Sequence, residues 1–184
     1  MSSDRERVLE GLSAAVDEKG YSGATIADIA RHARISKRTF YEHFTDKESC
    51  FLEAYRNASA LLQGILRAAA AGDGDPRARV DAIVTAYLGA LDLDPARART
   101  FLLEIYAAGP TALAVRREVH GEFARLLSEL GERAEVRGLH ADLATALVGA
   151  IHELVLMSLE RGKPTLEIAT TAREVAQALL FGRS

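Results

Sequence analysis

Hydrophobic positions recur at helical spacing along most of the chain, and no stretch shows the strict alternation of a half-buried strand. Val8, Leu9, Leu12, Ala15 and Val16 lie on one helical stripe, which Lys19-Gly20 brings to a stop. Ile26, Ile29, Ala30 and Ala33 follow at i, i+3, i+4 and i+7, a short helix that Thr25 can cap. Phe40 and Phe44, four apart, anchor one face of a third helix that Ser36 can cap. Further on, the spacing predicts helices over 47–71, 76–91, 96–107, 111–136, 139–161 and 165–181, separated by the four prolines and by Gly72, Gly74 and Gly138. Asp75-Pro76 and Asp94-Pro95 read as a cap followed by the first helical residue, whereas in Pro110-Thr111 and Pro164-Thr165 the threonine reads as the cap. Thr45 and Asp46 are equal candidates to cap the helix over 47–71. The expectation is an all-α chain: a three-helix domain over 1–46 and a helical domain over 47–184, with helix 47–71 as the connector.

The third helix carries the most informative chemistry. Two short helices about three residues apart form the bihelical unit that fits a DNA major groove. Lys37, Arg38 and Thr39 occupy the first turn after Ser36, where a helix N-terminus meets the groove. Arg38 is the better base reader, since its planar fork spans a guanine edge with two hydrogen bonds. Tyr41 and His43 project polar tips suited to phosphate, and Lys47 is a cation in the first turn of the next helix. Thr25 and Ser36 are caps whose helix N-termini also offer N–H groups to phosphate. Phe40, Phe44 and Phe51 read as core, because duplex readout does not stack bases on aromatic rings. Without DNA, the same cations would be an ordinary solvated helix end.

In Gly20-Tyr21, Thr25-Ile26-Ala27-Asp28-Ile29-Ala30, Ala33, Ile35-Ser36, Thr39-Phe40-Tyr41, His43-Phe44, Lys47-Glu48 and Phe51, the first 55 or so residues resemble the N-terminal domain of the TetR family of transcriptional regulators. The resemblance implies a homodimer that binds a palindromic operator, usually as a repressor, and is released by a small molecule bound in the C-terminal domain. One position departs from the family pattern. The turn between the two reading helices usually holds Gly, and here it is Arg34. A positive φ at Arg34 would cost on the order of 1 kcal/mol, small beside the stability of a domain, and would add a cation near the DNA backbone.

Bulk charge does not announce a DNA-binding protein. The chain of 184 residues carries a net charge of −3, and residues 1–54 hold eight cations against ten acids. The local distribution reverses that count. Between Asp28 and Glu42 stand Arg31, Arg34, Lys37 and Arg38 and no acid. Screening over about 10 Å gives this patch more weight at a phosphate than distant carboxylates have.

The C-terminal half offers two weaker constellations. Leu143, Leu147, Ile151 and Val155 in one predicted helix, with Val175 and Leu179 in the next, make wide apolar faces beside small residues such as Gly149. Such faces suit a four-helix dimer bundle, and a recognition unit this small needs two-fold duplication for useful specificity. The plainer reading is an intramolecular core. Tyr87, Glu104, Tyr106, His120, His152 and Glu153 are polar or amphipathic residues within apolar pattern, candidates to line a ligand cavity, although each alone is more often a surface or satisfied core residue.

An enzyme is not expected. The five histidines show no i, i+4 pair or metal-site spacing, no Gly-rich phosphate loop occurs, and nothing near Cys50 lowers its thiol pKa, so neither metal nor cofactor is expected. A single Cys50 excludes an internal disulfide, the N-terminus is charged where a signal peptide is apolar, and no run approaches a membrane span in length. The expected setting is the cytoplasm, away from membranes. The expected function is a ligand-responsive DNA-binding regulator. Its alternatives are an architectural DNA-binding protein without a small-molecule response, and an all-helical binding module or enzyme.

Overall fold

The computed structural model describes residues 3–71, 75–133 and 139–182. Among the described residues there are nine α-helices and no strand: α1 (Asp4–Gly23), α2 (Ile26–Ala33), α3 (Lys37–His43), α4 (Lys47–Ala70), α5 (Pro76–Leu93), α6 (Pro95–Leu102), α7 (Pro110–Arg133), α8 (Ala141–Glu160) and α9 (Ala169–Phe181). Gly72, Gly74 and Gly138 lie outside the described residues.

Most helix starts follow the capping chemistry. Ser3, Thr25 and Ser36 accept hydrogen bonds from the N–H groups of Glu6, Asp28 and Thr39. Asp94 accepts from Arg97 N at 3.0 Å, with Pro95 in the first helical turn. Of the two candidates before α4, Asp46 is the cap, its Oδ1 accepting from Ser49 N at 2.7 Å.

Three expectations need correction. Pro110 is itself the first residue of α7, which places Thr111 inside the helix; a proline ring is preset for that position and gives up only an N–H that has no helical partner there. The helix predicted over 96–107 divides into α6 and a 3-10 turn over Glu104–Ala108, which Gly109 ends at a φ of 94°. The helix predicted over 165–181 likewise opens with a 3-10 turn, Thr165–Ile168. Thr165 is fully buried there as a tie to α5. Its hydroxyl donates to Leu88 O at 2.8 Å, and Asp92 takes the Thr165 and Leu166 N–H groups at 2.7 and 2.9 Å.

The described chain groups into two compact units. The first comprises residues up to 59 together with 94–116, and the second residues 60–93 together with 117 onward. This division differs from a boundary at residue 46: the stretch carrying α6 and the Glu104 turn packs with the N-terminal helices.

In the first unit, Val8, Leu12 and Ala15 of α1, Ile29 of α2, Phe40 of α3 and Phe51 of α4 are all fully buried. Helices α1 and α2 approach so closely at Gly11 that a Cβ there would lie 2.7 Å from Ile29 O and 2.8 Å from Ala33 N. Their edges are tied by Lys19 to Asp28 at 2.5 Å and by Glu18 to Arg31 and His32 at 2.7 and 2.8 Å. The Lys19 ammonium and the Thr25 donors hold the Asp28 carboxyl well below the usual carboxylate range.

In the second unit, Leu66 meets Leu126 and Leu130, flanked by Ile83, Tyr87 and Phe123. Helix α8 is 20 residues long and apolar enough to cross a membrane by length and composition, contrary to the reading that no run comes near that length. A core helix of a soluble protein has the same composition, and α8 also carries Asp142, His152, Glu153 and Glu160.

Candidate nucleic-acid interface

Helix α3 has seven residues, of which only Phe40 is buried. Phe44, the residue that ends it, is buried beside Phe40 at a ring distance of 5.9 Å. These two rings fix the inner side. Lys37 and Arg38 are exposed, Arg38 with 90 % of its side chain in solvent, and Tyr41 is 56 % exposed with its ring edge-to-face on Phe40 at 5.5 Å. Arg38 pairs with Glu42 at 3.3 Å, one helical turn away. So exposed a pair contributes little, and the guanidinium remains available to a base edge. Thr39 is half-buried, its hydroxyl 3.0 Å from that of Ser36.

The α2–α3 turn is closed by Arg34 in the left-handed region, at φ 55° and ψ 46°. Ile35 N donates to Ala30 O at 3.0 Å and Arg34 N to Arg31 O at 3.2 Å, so the last carbonyls of α2 are satisfied as a glycine there would satisfy them. The Cβ strain is small enough for these bonds to hold, and the arginine side chain is left exposed.

Two residues are placed differently from their sequence reading. The Lys47 ammonium, expected at phosphate, donates to Tyr21 O at 2.5 Å and Ala24 O at 2.8 Å and lies 4.2 Å over the Tyr21 ring. Two of its three donors are therefore spent inside the unit, and burial pushes its pKa down. His43 is half-buried, and its carbonyl accepts from Arg5 Nη1 at 3.3 Å. Arg5 also pairs with Glu53 and stacks 4.7 Å over Phe44, so it joins α1 to the end of α3 and to α4. No local signal marks Arg5, because Glu53 lies 48 positions away. Thr25 and Ser36 are exposed caps beside these groups.

The cavity candidates do not form one set. Tyr87 packs on the Leu66 cluster of the second unit, and the rings of His120 and His152 meet edge-to-face at 4.6 Å in the same unit, His152 buried. Glu153 is exposed. Glu104 and Tyr106 belong to the first unit: Glu104 Oε2 accepts from Tyr21 N at 2.7 Å, and Tyr106 is exposed with the Arg116 guanidinium 5.0 Å over its ring. Among the dimer candidates, Leu147 and Val155 are already buried within the protomer, whereas Leu143, Ile151, Val175 and Leu179 are half-buried. Burial also pushes the Cys50 thiol up to about 12, which leaves it inert at neutral pH. Among the described residues no three His, Cys, Asp or Glu side chains cluster as metal ligands.

Comparison with known proteins agrees with this geometry. Residues 9–54 match the family described as bacterial regulatory proteins, tetR family. The HTH-type transcriptional regulator BetI of Serratia proteamaculans is 30% identical over 150 residues, which span 74% of this chain and 75% of that protein. The HTH-type transcriptional repressor AcnR of Corynebacterium diphtheriae is 32% identical over 66 residues, covering 36% of this chain and 35% of its own. Among solved structures, the fatty acid degradation regulator FadR of Bacillus halodurans superposes with a TM-score of 0.80 at 18% identity, over 97% of this chain and 98% of its own. FadR of Bacillus subtilis in complex with stearoyl-CoA gives 0.78 at 16% identity over the same shares. The exposed, capped reading helix, the matched N-terminal segment and the BetI relationship across most of both chains place this protein in the TetR family of DNA-binding transcriptional regulators.

Proposed function

We propose that this protein is a homodimeric repressor that binds a palindromic operator and leaves it when a small molecule occupies the second unit. The observation that carries the reading is α3 itself: Lys37, Arg38 and Tyr41 stand exposed on a helix whose inner side is fixed by Phe40 and Phe44. In this reading Arg38 contacts a base edge, while Arg34, Lys37, Thr39, Tyr41, His43 and the two N-termini capped by Thr25 and Ser36 serve the backbone. Lys47 keeps one donor for phosphate after holding Tyr21 O and Ala24 O. The functional division falls at residue 46, with the reading head before it and the ligand-binding and dimerising part after it. The half-buried Leu143, Ile151, Val175 and Leu179 are the residues proposed to meet a second copy.

Effector binding is assigned to the interior marked by Tyr87, His120 and His152, which favours an amphiphile with an apolar body. The cytoplasm, where operators are, is the proposed location. Selection from randomised duplexes should return a palindrome. Thermal shift with fatty acids and acyl-CoA thioesters then finds stabilising ligands, the thioesters chosen because the Bacillus subtilis regulator of this fold holds one. A true effector should lower operator affinity about 5- to 150-fold. Stabilising ligands that leave operator affinity unchanged would favour the architectural alternative.

A further inference from the structure

Helix α1 is broken near its end. Gly20 adopts φ 69° and ψ 164°, a region open essentially to glycine alone, and a single turn over Tyr21–Gly23 follows before the chain enters Thr25, the cap of α2. This turn is held at both ends by side chains remote in sequence. At its start, Glu104 Oε2 accepts the Tyr21 N–H at 2.7 Å, from 83 positions further along the chain. At its finish, Lys47 Nζ donates to Tyr21 O at 2.5 Å and Ala24 O at 2.8 Å. A carboxylate at the N-terminal end of a turn and an ammonium at its C-terminal end both match the direction of the peptide dipoles. The carboxylate also lies close: a Cβ on Gly20 would be 3.3 Å from Glu104 Oε2.

The turn precedes the first of the two reading helices. It sets where α2 begins and, through Lys47, where α4 begins, and these two helices flank α3 in the chain. The Glu104 side reaches into the same core. Tyr21 lies 4.9 Å from Phe51, Phe51 5.8 Å from Phe101, and Phe101 6.1 Å from Tyr55. The segment 94–116 that carries Glu104 joins the second unit by a peptide bond at each of its ends. We infer that Glu104 is a positioning residue for operator binding, which holds the Gly20 break closed and so sets the placement of the reading helices without touching DNA. Loosening that one carboxylate then weakens the operator complex from the far half of the sequence.

The inference rests on the DNA-binding reading, and its test separates the two. Glu104→Ala and Glu104→Gln are compared with the parent protein by amide hydrogen exchange without DNA, and by operator affinity across a salt series on the duplex selected from the randomised library. In Glu104→Ala the amides of 21–24 should exchange faster and operator affinity should fall about tenfold, a charge-assisted bond having been lost. The slope of log K against log salt should not change, because no phosphate contact is removed. Glu104→Gln keeps an acceptor oxygen and should restore part of both losses; it also decides the matter if the alanine variant does not fold. Unchanged exchange at 21–24, or faster exchange with unchanged operator affinity, overturns the inference. Failure of the parent protein to select any duplex overturns the operator reading instead, and the exchange result still decides the cap.

Discussion

Each of the two units has an apolar core, and they differ in what they leave exposed. In the first, the inner positions are apolar and the polar groups of α3 stand in solvent, Arg38 almost wholly so. In the second, His152 is buried against the half-buried His120 within an apolar core, while α8 leaves Ala146, Gly149, Glu153 and Met157 exposed and Leu143 and Ile151 half-exposed. An exposed row of donors calls for a polar, charged partner, and an exposed row of small and apolar residues calls for another helix. In the proposed dimer the reading head is complete within one protomer, whereas the outer side of α8 meets a second copy.

The contrast can be broken most forcefully within α8. Val155→Glu places a carboxylate where nothing is exposed and should cost about 3–5 kcal/mol, enough to lose the folded state in a circular-dichroism melt. Ile151→Glu, four residues earlier and half-exposed, should leave the fold intact and yield a monomer by light scattering. A folded dimer with Ile151→Glu would put the interface elsewhere. A smaller effect is expected in the reading head. Arg38→Ala should cost about 1–3 kcal/mol on the operator and relax the preference at one base pair in each half-site, with a melting temperature close to the parent's. The same consensus from a randomised selection would make Arg38 a backbone contact. The smallest effect concerns the left-handed turn. Arg34→Gly should raise stability by about 0.5–1 kcal/mol by releasing the Cβ strain, and should lower the salt slope of DNA binding by about 1. An equal or lower melting temperature would show that the greater conformational freedom of glycine in the unfolded chain offsets the released strain.

Much of the first unit was legible because its signals are short-range. A cap and the N–H it accepts stand three residues apart, Phe40 and Phe44 stand one turn apart, and the positive φ of Arg34 follows from its place in the motif. The 3-10 turn at Thr165 was not legible, since a threonine after proline looks the same whether it caps a helix or donates to Leu88 O, 77 positions away. The direction in which each cavity candidate faces was not legible for a related reason. Helical spacing gives the angle between residues on one helix but not the direction in which the helix faces, so Glu153 and His152 looked alike although one is exposed and the other buried.

By itself, then, the sequence determined the all-α class, the starts of α2 to α6, the capped reading helix with its cations, and the family, because each depends on relations within a few residues that helix geometry imposes. Tertiary structure alone decided that Lys47 turns inward to two carbonyls, that Arg5 reaches Glu53, that Glu104 serves the break at Gly20, and which of Leu147, Ile151 and Val155 remain partly free. Those outcomes depend on contacts between segments tens of residues apart, whose meeting is settled by how the helices pack and not by any local preference.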